Sequence, residues 1–149
     1  MGISIRNIET KDKEIYMQMA EEFYATDAVI HPISKENFEK TFEELFRSKD
    51  YAECHIFVYD DNIAGYGLLA KTFSQEAGGK VCWIEELYVK PEFRSKGIVK
   101  SYFSYIFDKY KDVKRFRLEV ESDNEAAVRL YLSQGFDFMD YSSMYKEVI

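Results

Sequence analysis

Glu85-Glu86-Leu87-Tyr88-Val89-Lys90-Pro91-Glu92-Phe93-Arg94-Ser95-Lys96-Gly97-Ile98-Val99-Lys100 is the stretch on which the fold turns. It begins inside a run, residues 81–89, rich in aromatic and branched apolar side chains, which predicts a β-strand. Pro91 ends that strand because it has no N–H to give a ladder. From Ile98 onward Tyr102, Tyr105 and Ile106 recur at helical spacing. A strand bearing two acids therefore runs through a short basic loop into the first turn of a helix. A helix start offers free backbone N–H groups and the positive end of the macrodipole, which suits a phosphate or pyrophosphate. An anion cradle beside two carboxylates points to group transfer from a phosphate-bearing carrier.

Downstream lies Asp123-Asn124-Glu125-Ala126-Ala127-Val128-Arg129-Leu130-Tyr131-Leu132-Ser133-Gln134-Gly135-Phe136, which reads as a capped helix stopping at a C′ glycine, Gly135. Asn124, Ala127 and Tyr131 are spaced to share one face of it. Between the two segments, residues 115–121 read as another strand.

This order of segments resembles the GNAT acetyltransferase superfamily, whose loop pattern is Arg/Gln-x-x-Gly-x-Gly/Ala after a strand. Arg94 and Gly97 fit it, Val99 departs from it, and Ser95 stands where many members have a further glycine. The resemblance implies an α/β (α+β) fold in a single domain, residues 1–149, with a mixed, mostly antiparallel twisted sheet and helices on both faces. In that family the acid-bearing strand and the next one splay apart, and the acyl-pantetheine lies in the gap. It implies acetyl-CoA as cosubstrate; two distant histidines, His31 and His55, with no Cys/His cluster, argue against a zinc site. The pyrophosphate would sit on the N–H groups of Arg94, Ser95, Lys96, Gly97, Ile98 and Val99. The thioester would lie along Leu87, Tyr88 and Val89, and the pantetheine arm against Asn124 and Ala127. Tyr131 would protonate the departing thiolate, although packing alone would make it a core residue.

Adjacent residues of a strand point to opposite faces, so only one of Glu85 and Glu86 faces such a groove. Glu85 shares parity with Leu87 and Val89 and is read as the base or water relay, Glu86 as the substrate contact; the two roles can swap. His31, in the break Val29-Ile30-His31-Pro32, falls where the family shapes its substrate pocket. Tyr24, Tyr66 and Phe73 are either aromatic walls for a cation or core residues. The implied activity is acetyl transfer to a primary amine of a small cationic metabolite or antibiotic-like compound. A protein or peptide acceptor, or a CoA-binding sensor without turnover, are the alternatives.

Composition narrows the partners. The chain of 149 residues carries a net charge of -7, yet residues 90–117 hold nine basic side chains against three acids. A basic zone on an acidic protein suits a polyanionic cofactor and a cationic substrate. It does not suit nucleic acid, which needs a broad basic face. No apolar run reaches membrane-span length, and the N-terminus lacks a signal-peptide layout. Cys54 and Cys82 stand in predicted strands without Cys-x-x-Cys spacing, so they read as buried free thiols in a reducing, cytoplasmic setting. A homodimer is left open.

The remaining pattern fills in the sheet. Residues 3–8 alternate as a first strand. Thr10, Asp12 and Lys13 open a helix with Ile15, Met19 and Phe23 on its apolar face. Ser34 caps a second helix with the stripe Phe38, Phe42, Leu45 and Phe46. Residues 54–59 and 64–72 flank the turn Asp60-Asp61-Asn62. Residues 74–80, with Gly78-Gly79, read as a flexible loop, and residues 136–139 and 142–148 as closing strands.

Overall fold

The computed structural model describes residues 2–26, 29, 31 and 33–148. Among these residues five strands pair in sequence order: β1 (Ile3–Asn7), β2 (Ala52–Tyr59), β3 (Asn62–Ser74), β4 (Gly79–Val89) and β5 (Arg115–Arg117). The junctions from β1 to β4 are antiparallel, and β4 pairs with β5 in parallel. Four α-helices accompany them: α1 (Lys13–Tyr24), α2 (Lys35–Arg47), α3 (Ile98–Lys109) and α4 (Glu125–Ser133). This is the mixed, mostly antiparallel α/β arrangement expected. Residues up to Glu119 form one compact unit, and residues from Val120 form a second.

Two neighbouring residues of β3 show how the first unit is layered. Tyr66 and Gly67 must face opposite sides of the sheet. Tyr16 and Phe23 of α1 pack on Tyr66, with ring centroids 5.5 and 6.5 Å away, and Phe42 of α2 lies 5.8 Å from Tyr16. On the other side α3 sits so close that a Cβ on Gly67 would meet the Tyr102 ring at 2.4 Å. Helices therefore cover both faces. Tyr102 also pairs its hydroxyl with His55 Nδ1 at 2.8 Å. Burial above all, with the charge of Lys109 next, pushes the pKa of His55 down to about 4, so it is a neutral core residue.

Asp60 and Asp61 both adopt positive φ, 47° and 67°, in the two-residue turn that joins β2 to β3. Residues 74–80 are not the flexible loop expected. Ser74 pairs with Gly79, and the Gly78 N–H donates to the Ser74 carbonyl at 2.9 Å, so the hairpin closes tightly and both strands lengthen. Gly78, at φ 82°, supplies the backbone geometry. The strand expected over 115–121 is cut to Arg115–Arg117, because its ladder with β4 stops at Trp83↔Arg117. No strand forms among the described residues of 136–148, where alternation has no paired neighbour to become a ladder. Phe73 is neither wall nor core, being 76% exposed on the overhanging hairpin.

The first helix opens differently from expectation, with a 3-10 turn over Thr10–Asp12. Asp12 is buried, and Arg6 of β1 donates to both its oxygens, at 2.8 and 3.0 Å. The Glu9 N–H adds a third bond at 2.8 Å. Burial pushes the carboxyl pKa up, but these donors outweigh it and hold Asp12 below its ordinary value. An acid with a depressed folded pKa stabilises the protein above its unfolded value, and the gain is lost as pH falls through the folded one. Asp12→Asn should therefore lose about 1–3 kcal/mol at neutral pH. In thermal melts the gap from wild type should close below about pH 4, and a gap constant with pH would refute the pairing.

Candidate active site

The site begins with an irregularity in β4. Leu68 pairs with Glu86 but Leu69 pairs with Ile84, so Glu85 is an extra residue, a β-bulge. The strand changes phase there. Ile84 and Leu87, three residues apart, oppose Leu69 and Gly67 on one face, while Glu86 and Tyr88 oppose Leu68 and Tyr66 on the other. Simple parity, which would group Glu85 with Leu87 and Val89, does not apply across the bulge. Just before the bulge β5 stops pairing with β4, where Arg117 stacks 4.2 Å over the Trp83 ring. Beyond that point residues 84–89, the acid-bearing half of β4, have no ladder with β5.

Glu86 is half-buried under α1. The Tyr66 hydroxyl donates to its Oε1 and the Tyr24 hydroxyl to its Oε2, each at 2.6 Å. Its pKa is raised, by burial first, with the two phenols pulling against that and Glu85 adding to it. Glu85 keeps an exposed side chain, yet desolvation, and then the charge of Glu119 just past β5, hold its carboxyl above the ordinary value. Among the described residues neither acid has an ion-pair partner. On the next turn of the pleat the Tyr88 hydroxyl donates to Glu22 at 2.8 Å, and burial and that bond raise its pKa to about 12. Tyr88 can thus offer a ligand only its backbone.

The loop after Pro91 adopts the conformation its sequence invites. Ser95 and Gly97 sit at φ 62° and 81°, both left-handed. This is strained for Ser95, which explains a preference for glycine at such a place. Gly97 is the N-cap of α3 and no side chain caps the helix. Its first-turn N–H groups are consequently open to an anion. Arg94 turns back to the strand, its Nε donating to the Val89 carbonyl at 3.0 Å, and Lys96 lies 5.3 Å over the Tyr59 ring. Ile98 is buried, so it too offers only its N–H. Val99 and its branched side chain are accommodated on the first turn. These residues fit a pyrophosphate.

In the second unit Asn124 caps α4, its Oδ1 accepting from the Ala127 N–H at 3.3 Å. The helix ends as expected at Gly135. Phe136 N–H reaches the Tyr131 carbonyl at 3.1 Å and Gly135 N–H the Leu132 carbonyl at 3.1 Å, a Schellman ending. The matching side-chain contact is Phe136 against Tyr131, ring centroids 6.2 Å apart. Desolvation raises the Tyr131 phenol above its ordinary pKa. His31 lies exposed in the connection between α1 and α2.

Sequence patterns missed the hydrogen bonds of Tyr24 and Tyr66 to Glu86, and missed Glu22 and Glu119 altogether. Tyr24 and Glu86 are 62 residues apart, and no local spacing reports such a pair.

Residues 13–136 match the acetyltransferase (GNAT) family. The chain belongs to that family. Over 102 residues the GNAT chain is 28% identical to a spermine/spermidine N(1)-acetyltransferase of Bacillus subtilis (strain 168), a stretch covering 60% of this chain and 66% of the relative. It is 36% identical over 77 residues to a thialysine N-epsilon-acetyltransferase of Sus scrofa, covering 49% and 44%. It thus spans just under two thirds, or less, of these relatives. A "possible acetyltransferase" from Clostridium difficile 630 superposes with a TM-score of 0.82 at 24% identity, over 100% of this chain and 99% of that one. AAC(6')-Iy, an aminoglycoside N-acetyltransferase, solved with the bisubstrate analogue CoA-S-monomethyl-acetylneamine, superposes at 0.80 with 14% identity over all of both chains. At these identities the two structures speak for the fold.

Proposed function

We propose that this protein transfers the acetyl group of acetyl-CoA to a primary amine of a small cationic molecule. The observation that carries the proposal is the pair Glu85 and Glu86, set at a bulge just past the end of the β4–β5 ladder, with no ion-pair partner among the described residues. Unbalanced, partly desolvated carboxylates favour a ligand that brings positive charge. The relatives named for spermine/spermidine and thialysine acetylation support the same class of acceptor. Two buried free thiols support a reducing, cytoplasmic setting.

Bound acetyl-CoA supplies an activated acyl group on a thiol leaving group. In the chain's own part, the open N–H groups of Ser95–Val99 hold its pyrophosphate. Glu85 takes the ammonium proton, directly or through water. The freed nitrogen then bonds to the thioester carbonyl carbon while N–H groups near Leu87–Val89 stabilise the oxyanion. The C–S bond breaks, the nitrogen gives up its second proton to water as the amide forms, and the leaving thiolate receives a proton, a role the family resemblance gives to Tyr131.

Thermal melts with acetyl-CoA and thiol release against a panel of amines test this. A ligand at a hundred times its Kd adds about 2.7 kcal/mol to the native state, so wild type should melt several degrees higher. Gly97→Asp should erase the shift, because it puts a carboxylate and a side chain at a left-handed position facing the anion. No shift in wild type would remove the cofactor. Thiol release only with a peptide amine would replace the small acceptor, and binding without any turnover would make the protein a sensor.

A further inference from the structure

We propose that Tyr24 and Tyr66 are positioning residues: their phenols hold the Glu86 carboxylate as a fixed anion for the acceptor's ammonium, which leaves Glu85 to take the proton. Resting on the acetyltransferase function proposed above, this division of labour settles between two adjacent acids that sequence alone left interchangeable.

Each oxygen of Glu86 has its own phenol donor at 2.6 Å, one from β3 and one from the last residue of α1. Bonds this short are typical of a hydroxyl donating to an ionised carboxylate. Both phenols are pushed well above the ordinary tyrosine value, by burial first and by Glu86 itself, so they remain protonated donors at any working pH. The titratable groups that face Glu86 are Tyr16 and Tyr24 from α1, Cys54 from β2, Tyr66 from β3 and Glu85 on its own strand. None of them is a cation. The two phenols are what favours the charged form, and a carboxylate has about four acceptor positions, so two filled ones leave room for an ammonium.

Glu85 has the opposite surroundings. It is exposed on the bulge, and among the described residues no donor bonds to its carboxylate. Donors weaken a carboxylate as a base, so the undonated acid is the better proton acceptor. The clamp also ties the acceptor side to α1. Tyr24 closes that helix, and from there the chain runs into the connection that carries His31.

The test uses Tyr24→Phe, Tyr66→Phe and the double variant, each keeping its ring, with Glu85→Gln for contrast. Spermidine serves as the probe amine, its affinity measured by calorimetry and its turnover by thiol release. Either single variant should raise KM and Kd for spermidine about tenfold to a hundredfold, with kcat within about threefold and acetyl-CoA affinity unchanged. In the double variant Glu86 loses both donors and its pKa rises, so spermidine affinity should recover as pH is raised from neutrality while wild type stays flat. A purely structural loss would not be rescued by pH. Glu85→Gln should show the reverse split, with kcat falling far more than spermidine Kd rises.

Unchanged spermidine affinity in Tyr24→Phe and Tyr66→Phe overturns the clamp, as does a loss of kcat without a change in KM. A wild type that binds spermidine but never turns over overturns the acetyltransferase function, while the calorimetric arm still decides the clamp. A wild type that binds no spermidine, or any other amine of the panel, overturns both. Should Tyr66→Phe fail to fold, Tyr24→Phe at the helix end carries the same comparison.

Discussion

Glu85→Gln at neutral pH should lower kcat/KM for a primary amine by about 10²–10⁴-fold. The loss should shrink as pH climbs toward the amine's own pKa near ~10.4, where neutral nucleophile no longer needs a base. A second consequence has the opposite sign. The Glu85 carboxyl is held above its ordinary pKa by desolvation and by Glu119, so folding favours its protonated form. Such a group costs the folded state stability once pH has risen through the folded value. Replacing it with neutral Gln removes that cost, so the variant should melt higher than wild type at neutral pH and should not below the ordinary glutamate range. Lost turnover with gained stability is the signature of a site strained for function. A variant that loses turnover by melting lower would be a folding defect, and one with wild-type turnover would clear Glu85 of any proton transfer.

Gly65→Ala should damage stability and turnover together. A Cβ at this position would lie 2.0 Å from the Tyr88 carbonyl oxygen and 3.0 Å from the Val89 Cα, both backbone atoms. Backbone cannot rotate aside as a flexible side chain would, so β4 must move away from β3. Forcing atoms into a packed interior typically costs about 1–3 kcal/mol, which in a chain this long lowers Tm by several degrees. The displaced segment carries the Leu87–Val89 N–H groups that would receive the oxyanion. Removing such a donor costs ~10²–10³ in rate, and misplacing it should cost part of that, seen as lower kcat at temperatures where the variant is fully folded. A variant with unchanged kcat and Tm would show that β4 tolerates the shift and that the oxyanion contact lies elsewhere.

Local chemistry carries its own signal, and it was legible along the chain. The apolar stripes of α1 and α2, the Asp60-Asp61 turn, the uncapped start of α3 after Gly97 and the C′ glycine at Gly135 all depend on residues within a few positions of each other. So do the acid pair itself and the basic loop that follows it, which is why fold and family are legible in the sequence. Where that reading failed, the deciding partner was distant. Strand length at residues 74–80, at β5 and at 136–148 depended on whether another strand supplied a ladder, and alternation cannot report that.

The site shows the same boundary most clearly at Glu85 and Glu86. The sequence determined that two carboxylates stand side by side on a strand leading into an anion-binding loop. Only tertiary structure decided that they differ. The pairing of β4 with β3 inserts a bulge at Glu85 and breaks the alternation that would have assigned its face. The fold then brings Tyr24 and Tyr66, 62 and 20 residues away in sequence, onto the two oxygens of Glu86. A carboxylate's basicity is set by the donors and charges within a few ångströms, and those neighbours are chosen by packing, not by position in the chain.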